Sequence, residues 1–318
     1  MAGTPIFGTN AAGQISGAIG DSFGPTLYVN TEISSGGNGY SQKNAFKTMA
    51  AAFAELARLQ TLQASAPIPG GGSNATIFVE GHVIEQVESP ADVFGVRICG
   101  LVNGNPRQVT DSGTVLDGNG VDWTVPASPT ANEPLLRISE QGWVIENICF
   151  VPTDGEAAIE LRREETATYF DPSHSIIRNC RFIAGSVTGT IGIQDVGGSS
   201  QVTVENCVFD TLASGIVNTS TSIANPNRWV VQNCYFKDNT EHIDMPFTDA
   251  RFLNNIMDEA TVNIDFAGGD GENFVLYNQF QNTQADITIS DGYTPAGATD
   301  VWRNYTTDTA GFTVGVPT

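Results

Sequence analysis

A six-residue pattern recurs along most of this chain: an apolar residue, any residue, Asn, any two residues, then Phe. It stands as Ile145-Asn147-Phe150, Ile177-Asn179-Phe182, Val204-Asn206-Phe209 and Val231-Asn233-Phe236. It then loosens to Phe252-Asn254-Met257 and Val275-Tyr277-Phe280, with a last echo at Trp302-Asn304. Successive third positions lie 32, 27, 27, 21, 23 and 27 residues apart. A second apolar group follows each: Ile159/Leu161, Ile191/Ile193, Ile216, Ile243/Met245, Ile264/Phe266 and Ile287/Ile289. A repeat of this length marks an architecture in which no unit buries its own apolar edge, so each stacks on the next.

The apolar segments are short, rich in Val, Ile and Phe, and bounded by Gly, Asn, Asp or Pro, which reads as strands. From Thr76 onward the chain shows no 3.6-residue period, which excludes a helical solenoid. The pattern therefore predicts an all-β fold, a right-handed parallel β-helix with regular coils over about 76–310. Like residues then repeat at the ~4.8 Å strand spacing. In that geometry Asn147, Asn179, Asn206, Asn233 and Asn254 are expected to form an inward amide ladder at a tight turn. Cys180, Cys207 and Cys234 each follow a ladder Asn and are expected to stack as small apolar side chains.

The first 26 residues are small, Gly-rich and unpatterned, and read as an extended N-terminal arm. TLYVN is a strand. From Asn44 to about Leu62 the positions Phe46, Met49, Phe53 and Leu56 follow helical spacing, with Ser41 as a start signal. This short α-helix is expected to cap the first coil, whose strand edges would otherwise be unpaired. TIFVEGHVIEQV, FGVRICGL, TVLDG and LLRIS read as the first, less regular coils, so residues 27–318 form one β-helix domain.

The run YVNTEISSGGNGYSQKNAFKTMAAAFAEL, followed by TIFVEGHVIEQV, VRICGL, TVLDGNG and the Asn-Cys-x-Phe coils, resembles the pectate-lyase-like parallel β-helix superfamily. Its opening is similar to β-helix proteins of bacteriophage tailspikes and other virion appendages. The resemblance covers about residues 27–310. It implies a fold rather than one activity, because that superfamily holds lyases, hydrolases, epimerases and non-enzymatic virion parts.

Charge and cysteine usage narrow the function classes. The chain carries 35 acidic and 14 basic residues, a formal net charge of −21. Such a surface repels phosphate backbones and anionic lipid, so neither nucleic acid nor membrane insertion is expected. No apolar run approaches the ~18 residues of a membrane span. The opening twenty residues have no basic residue or apolar core, so no secretory signal is expected. Five cysteines, an odd number, fit reduced buried thiols made in a host cytoplasm. His82, His174 and His242 offer no metal-ligand spacing, and no cofactor is expected.

Chemistry in a β-helix needs carboxylates gathered on an outer face. Asp244 and Asp265 fall at equivalent positions on adjacent coils, with Cα atoms expected ~5 Å apart. A retaining glycosidase wants its two carboxyl groups ~5–5.5 Å apart, so this pair is the catalytic candidate. Solvation of an exposed strand in an acidic protein is the competing explanation. Glu241 and His242 lie nearby in sequence, as do Arg228 and Arg251. The loop GGDGEN at 268–273 partly matches a calcium-binding nonapeptide, but a single copy with Asn273 in place of Asp reads as a plain turn. Trp143, Trp229 and Trp302 fall in core register.

Two functions are carried forward. In the first, the chain is a non-enzymatic bacteriophage virion protein (capsid decoration, head fibre or short tailspike), docking to capsid or tail proteins through residues 1–26. A homotrimer is the expectation from the resemblance. In the second, it is a polysaccharide depolymerase, hydrolase or lyase, acting on host surface glycan through Asp244 and Asp265. The overall charge favours a neutral glycan over a polyuronate.

Overall fold

The computed structural model describes residues 7–9, 15–17, 24–65, 72–101, 120–153, 155–165, 169–184, 189–219, 226–260, 262–265, 273–281, 289–290, 300–302 and 305–306. The TVLDG segment, Asn304 and most of residues 1–26 lie outside them. Within the first 26 residues, Phe7–Thr9 pairs antiparallel with Ile15–Gly17.

Three parallel sheets run along the chain, with ten, nine and eight strands. Each regular coil gives one strand to each sheet, as in Ile176–Arg178, Arg181–Ile183 and Ile191–Val196. The next coil pairs with it in register on all three faces. This is a right-handed parallel β-helix around a single core. Ten rungs at ~4.8 Å make a rod roughly 45 Å long.

The spacing that recurs in sequence becomes contact in space. On the second sheet, Val83, Trp123, Phe150, Phe182, Phe209, Phe236, Met257 and Phe280 pair rung to rung and point inward. The rings of Phe182, Phe209 and Phe236 stack nearly parallel, with centroids 4.7 and 4.6 Å apart. That separation is the rung spacing itself. Aromatic contacts of this kind add about 0.5–1.5 kcal/mol each beyond area burial.

Gly192 and Gly215 hold equivalent places on the third sheet and make room for this stack. A Cβ on Gly192 would lie 2.8 Å from Phe209 Cδ1, and one on Gly215 would lie 3.1 Å from Phe236 Cδ1. Where the next coil carries Met257 instead of Phe, the equivalent residue is His242, fully buried against Phe236.

The recurring asparagines are aligned, but they do not point inward. Asn147, Asn179, Asn206, Asn233 and Asn254 all have φ between 53° and 61°, as does Tyr277 at 59°. Asn179, Asn206, Asn233 and Asn254 are exposed, and Asn147 is half-buried. The expected inward ladder is therefore corrected to an outward corner file between the first and second sheets. The physical reason is the left-handed backbone, which bends the chain in one residue and which Asn tolerates better than most side chains. Backbone bonds hold the file: the N–H groups of Asn179, Asn206 and Asn233 donate to the Glu205, Gln232 and Leu253 carbonyls of the following coil at 3.1, 3.1 and 3.0 Å.

The following residue is the one that turns inward. Cys180, Cys207 and Cys234 are each at most 2% exposed, and the same column continues with Asn255 and Asn278. Each thiol donates to a carbonyl of the preceding coil: Cys180 to Ile145, Cys207 to Ile177 and Cys234 to Val204, at 3.6–3.7 Å. A buried amide ladder does exist here, with Asn255 Nδ2 donating to Asn278 Oδ1 at 3.0 Å.

The N-terminal helix spans Met49–Ser65 and begins later than its apolar spacing suggests. Ser41 caps a separate 3-10 turn, Gln42–Asn44. The α-helix starts at Met49 because the Glu85 carboxylate accepts from the Met49 and Ala50 N–H groups at 2.8 and 3.0 Å. Thr48 Oγ1 accepts from Ala51 N–H. An acceptor at a helix N-terminus satisfies orphan donors and suits the helix dipole. Strand Thr26–Asn30 pairs along its whole length with Thr76–Glu80, so the helix lies between the first two rungs in chain order. Met49, Ala52, Phe53 and Leu56 are buried, with Phe53 edge-on to Trp143 at 5.7 Å. No described helix is long and apolar enough to cross a membrane.

Candidate functional site

On the third sheet, Ile159, Ile193, Ile216, Ile243 and Ile264 form one inward file. Alternation along a strand turns the next residue outward. The outward file reads Glu88, Arg137, Glu160, Gln194, Val217, Asp244 and Asp265.

The two ends of this file differ in charge balance. Toward the N-terminal rungs, Glu160 is buried at 3% exposure between Arg137 and Arg162, at 2.6 and 2.7 Å. Arg137 also reaches Glu133 at 2.5 Å. A carboxylate so neutralised serves structure. Toward the other end, Asp244 pairs in register with Asp265. The two carboxylates occupy adjacent rungs, as the repeat spacing predicts. Asp244 is half-buried and has no ion pair among the described residues. Burial first, then the charges of Glu241 and Asp265, push its carboxyl above the ordinary carboxylate range. A proton held on one member of a carboxylate pair is what acid catalysis at a glycosidic oxygen requires.

The other nearby candidates do not join this pair. His242 faces the core. The Asn239 amide is fixed by its Oδ1 accepting from Leu212 N–H, so Asn239 Nδ2 donates to His242 Nδ1 at 3.1 Å. Burial lowers the imidazole pKa to about 3, so it stays neutral. Asn273 has its Oδ1 on Ala250 N–H and its Nδ2 on the Phe247 carbonyl. That amide serves the fold, while residues 268–272 of the same loop lie outside the described residues. Trp143 and Trp229 are fully buried. Arg228 and Arg251 lie together instead on the first-sheet side, around a cavity of about 400 Å³ lined also by Trp229, Val230, Asp249 and Phe274.

Reading the chain by sequence alone missed the inward polar residues Asn239, Asn255 and Asn278, and the buried acids Glu140 and Asp195. Asn255 and Asn278 carried a usable signal: each holds the column of Cys180, Cys207 and Cys234, one place after the corner residue. Asp195 is fully buried, and its carboxylate accepts from Gly198 N–H, Ser199 N–H, Ser199 Oγ and Asn218 Nδ2 at 2.5–3.0 Å. Four donors mark it as the organiser of a turn.

No protein-family model and no curated protein matches this sequence. Among solved structures, the chain is similar to the tailspike protein of Acinetobacter baumannii bacteriophage Fri1, described as a capsular polysaccharide depolymerase. Identity is 12% and the TM-score 0.44, over 85% of this chain and 52% of the tailspike. The chain thus matches about half the length of that protein.

Proposed function

We propose that this chain is a rigid surface element of a bacteriophage particle, a tailspike-like or decorating β-helix. The observation that supports this reading is the unbroken register of three sheets along the rod. The fold closes its own interior, which leaves the outer faces of the sheets for solvent or partners. Residues 1–26 would dock to capsid or tail proteins, and three copies would associate as a homotrimer. Antibody against the chain should label intact particles at the capsid or tail. Label confined to the soluble fraction of an infected lysate would overturn the assignment. Light scattering should give three times the 33.7 kDa chain mass.

The Asp244–Asp265 pair favours a second reading, hydrolysis of host surface polysaccharide. Asp244 would donate its proton to the glycosidic oxygen as the bond to the anomeric carbon breaks. Asp265 would form the glycosyl ester, which water deprotonated by Asp244 then cleaves. Incubation with host polysaccharide should release new reducing ends, and Asp244→Asn should reduce that rate by at least 100-fold. Equal activity in the variant would remove Asp244 from any catalytic role.

A further inference from the structure

The corner leading into the first sheet carries its own left-handed file: His174, Gln201, Arg228 and Asp249, with φ of 62°, 57°, 55° and 55°. Backbone bonds tie each corner to the next, with the His174, Gln201 and Arg228 N–H groups donating to the carbonyls of Ser200, Asn227 and Thr248, the residues just before the next members. All four side chains are exposed. Beside them runs an outward file of the first sheet, Ile176, Thr203, Val230, Arg251 and Phe274. The cavity of about 400 Å³ forms where these files meet, walled by Arg228 and Asp249 on the corner and by Val230, Arg251 and Phe274 on the sheet. Its volume falls in the ~300–1,000 Å³ range of small-molecule sites.

Two arginines and one aspartate line the cavity, in a molecule whose acids outnumber its bases. Acids outnumber bases 35 to 14, and six cations among the described residues pair with carboxylates. Arg58 pairs with Glu55, Arg97 and Arg178 with Glu146, Arg137 and Arg162 with Glu160, and Lys237 with Asp238. Arg228 and Arg251 have no such partner among the described residues, although Asp249 lines the same cavity. Two guanidinium groups against one carboxylate around one concavity, beside an apolar wall, form a receptor for an anion with an apolar face.

From this arrangement we propose that the cavity binds a carboxylated sugar residue of an acidic glycan. The guanidinium forks match a carboxylate in two-point geometry. Val230 and Phe274 supply the flat apolar surface that a sugar ring's C–H face covers. Asp249 accepts from ring hydroxyls, and the exposed corner file through Gln201 and His174 extends the contact to neighbouring sugars. The net charge of −21 does not forbid this, because at ~0.15 M salt remote acids are screened beyond ~8 Å while direct contacts persist. The overall charge argues for a neutral glycan, and the local charge reverses that argument at this site.

The test uses the full-length protein and oligogalacturonate in EDTA, so that no bridging cation contributes. Its fully methyl-esterified form is the neutral counterpart, and dextran sulfate is the generic polyanion. Titration calorimetry should show binding of the acid oligomer and at least tenfold weaker binding of the ester. Arg228→Gln and Arg251→Gln should each weaken acid binding at least tenfold, and the double variant should abolish it. Both positions are exposed, and unchanged circular dichroism would certify the fold. The proposal is overturned by equal binding of acid and ester, by dextran sulfate binding without oligogalacturonate binding, by double variants that bind as wild type, or by no binding at all. Only binding is measured, so failure here leaves the particle assignment and the Asp244–Asp265 chemistry standing.

Discussion

Asn255 donates its Nδ2 hydrogens to Asn278 Oδ1 one rung on and to the Val231 carbonyl one rung back, both at 3.0 Å. Its Oδ1 accepts from Cys234 N–H at 2.9 Å. A single buried amide thus ties three coils together. Asn255→Ala should lower stability by about 3 kcal/mol or more, because each abandoned buried group costs about 1–3 kcal/mol. Asn206→Ala, on the exposed corner file, should cost only about 1–2 kcal/mol, the strain of a left-handed Ala. Urea midpoints of the two variants compare them directly, and equal losses would refute the division into inward and outward files.

That contrast shows what the sequence makes legible. The repeat, the aromatic file from Phe150 to Phe280 and the adjacency of Asp244 and Asp265 follow from spacing, because stacking converts equal sequence offset into spatial neighbourhood. Register slips where coil length changes: Ile159 pairs with Ile193, Ile264 with Ile289, and Val275 with Val301 rather than Trp302. The direction in which a corner side chain points does not follow from spacing. Asn favours both amide ladders and left-handed turns, and only the backbone φ of 53–61° decides between them. The helix start was equally hidden, since its cap is the Glu85 carboxylate, 36 residues beyond Met49. The cavity of Arg228 and Arg251 depends on two outward files meeting at a corner, which no single window of sequence contains.

Gly215→Ala should destabilise the fold by about 1–3 kcal/mol, the usual cost of overpacking. The new methyl would meet the His242 carbonyl oxygen at 2.5 Å and the Phe236 ring at 3.1 Å. Adding Phe236→Leu should relieve only the ring contact, so the double variant should remain less stable than Phe236→Leu alone. A double-mutant cycle by urea unfolding measures the coupling.

The three stacked thiols should be chemically silent in the native protein. Burial is the first cause that raises the Cys207 thiol well above its ordinary range, and contacts with Cys180 and Cys234 add to it. The thiolate is the reactive form. A chromogenic disulfide reagent at pH 8 should therefore modify Cys180, Cys207 and Cys234 only after denaturation. Mass spectrometry of the native reaction checks this, and rapid labelling at any of the three would contradict the packed column.

Glu140 gives the fold a pH dependence of definite sign. The residue is 1% exposed, and its Oε1 accepts from Asp92 N–H at 2.8 Å. Burial, aided by the charge of Asp92, raises its carboxyl to about 7 from an ordinary 4.5. Between those values the folded chain holds a proton that the unfolded chain has released, so stability falls as pH rises from 4.5 to 7. The full cost is present above pH 7 and absent below 4.5. Glu140→Gln keeps a carbonyl oxygen for Asp92 N–H but does not ionise. Its gain over wild type should be near zero at pH 4 and at most about 3 kcal/mol at pH 8, at about 1.4 kcal/mol per pH unit. His242 contributes the opposite slope on the acid side, because its folded pKa of about 3 lies below the unfolded 6.5 and stability is lost as pH falls between them. That slope is common to wild type and variant, so it cancels when their urea midpoints are compared at each pH. A difference that stayed constant from pH 4 to 8 would show that Glu140 does not hold the proton.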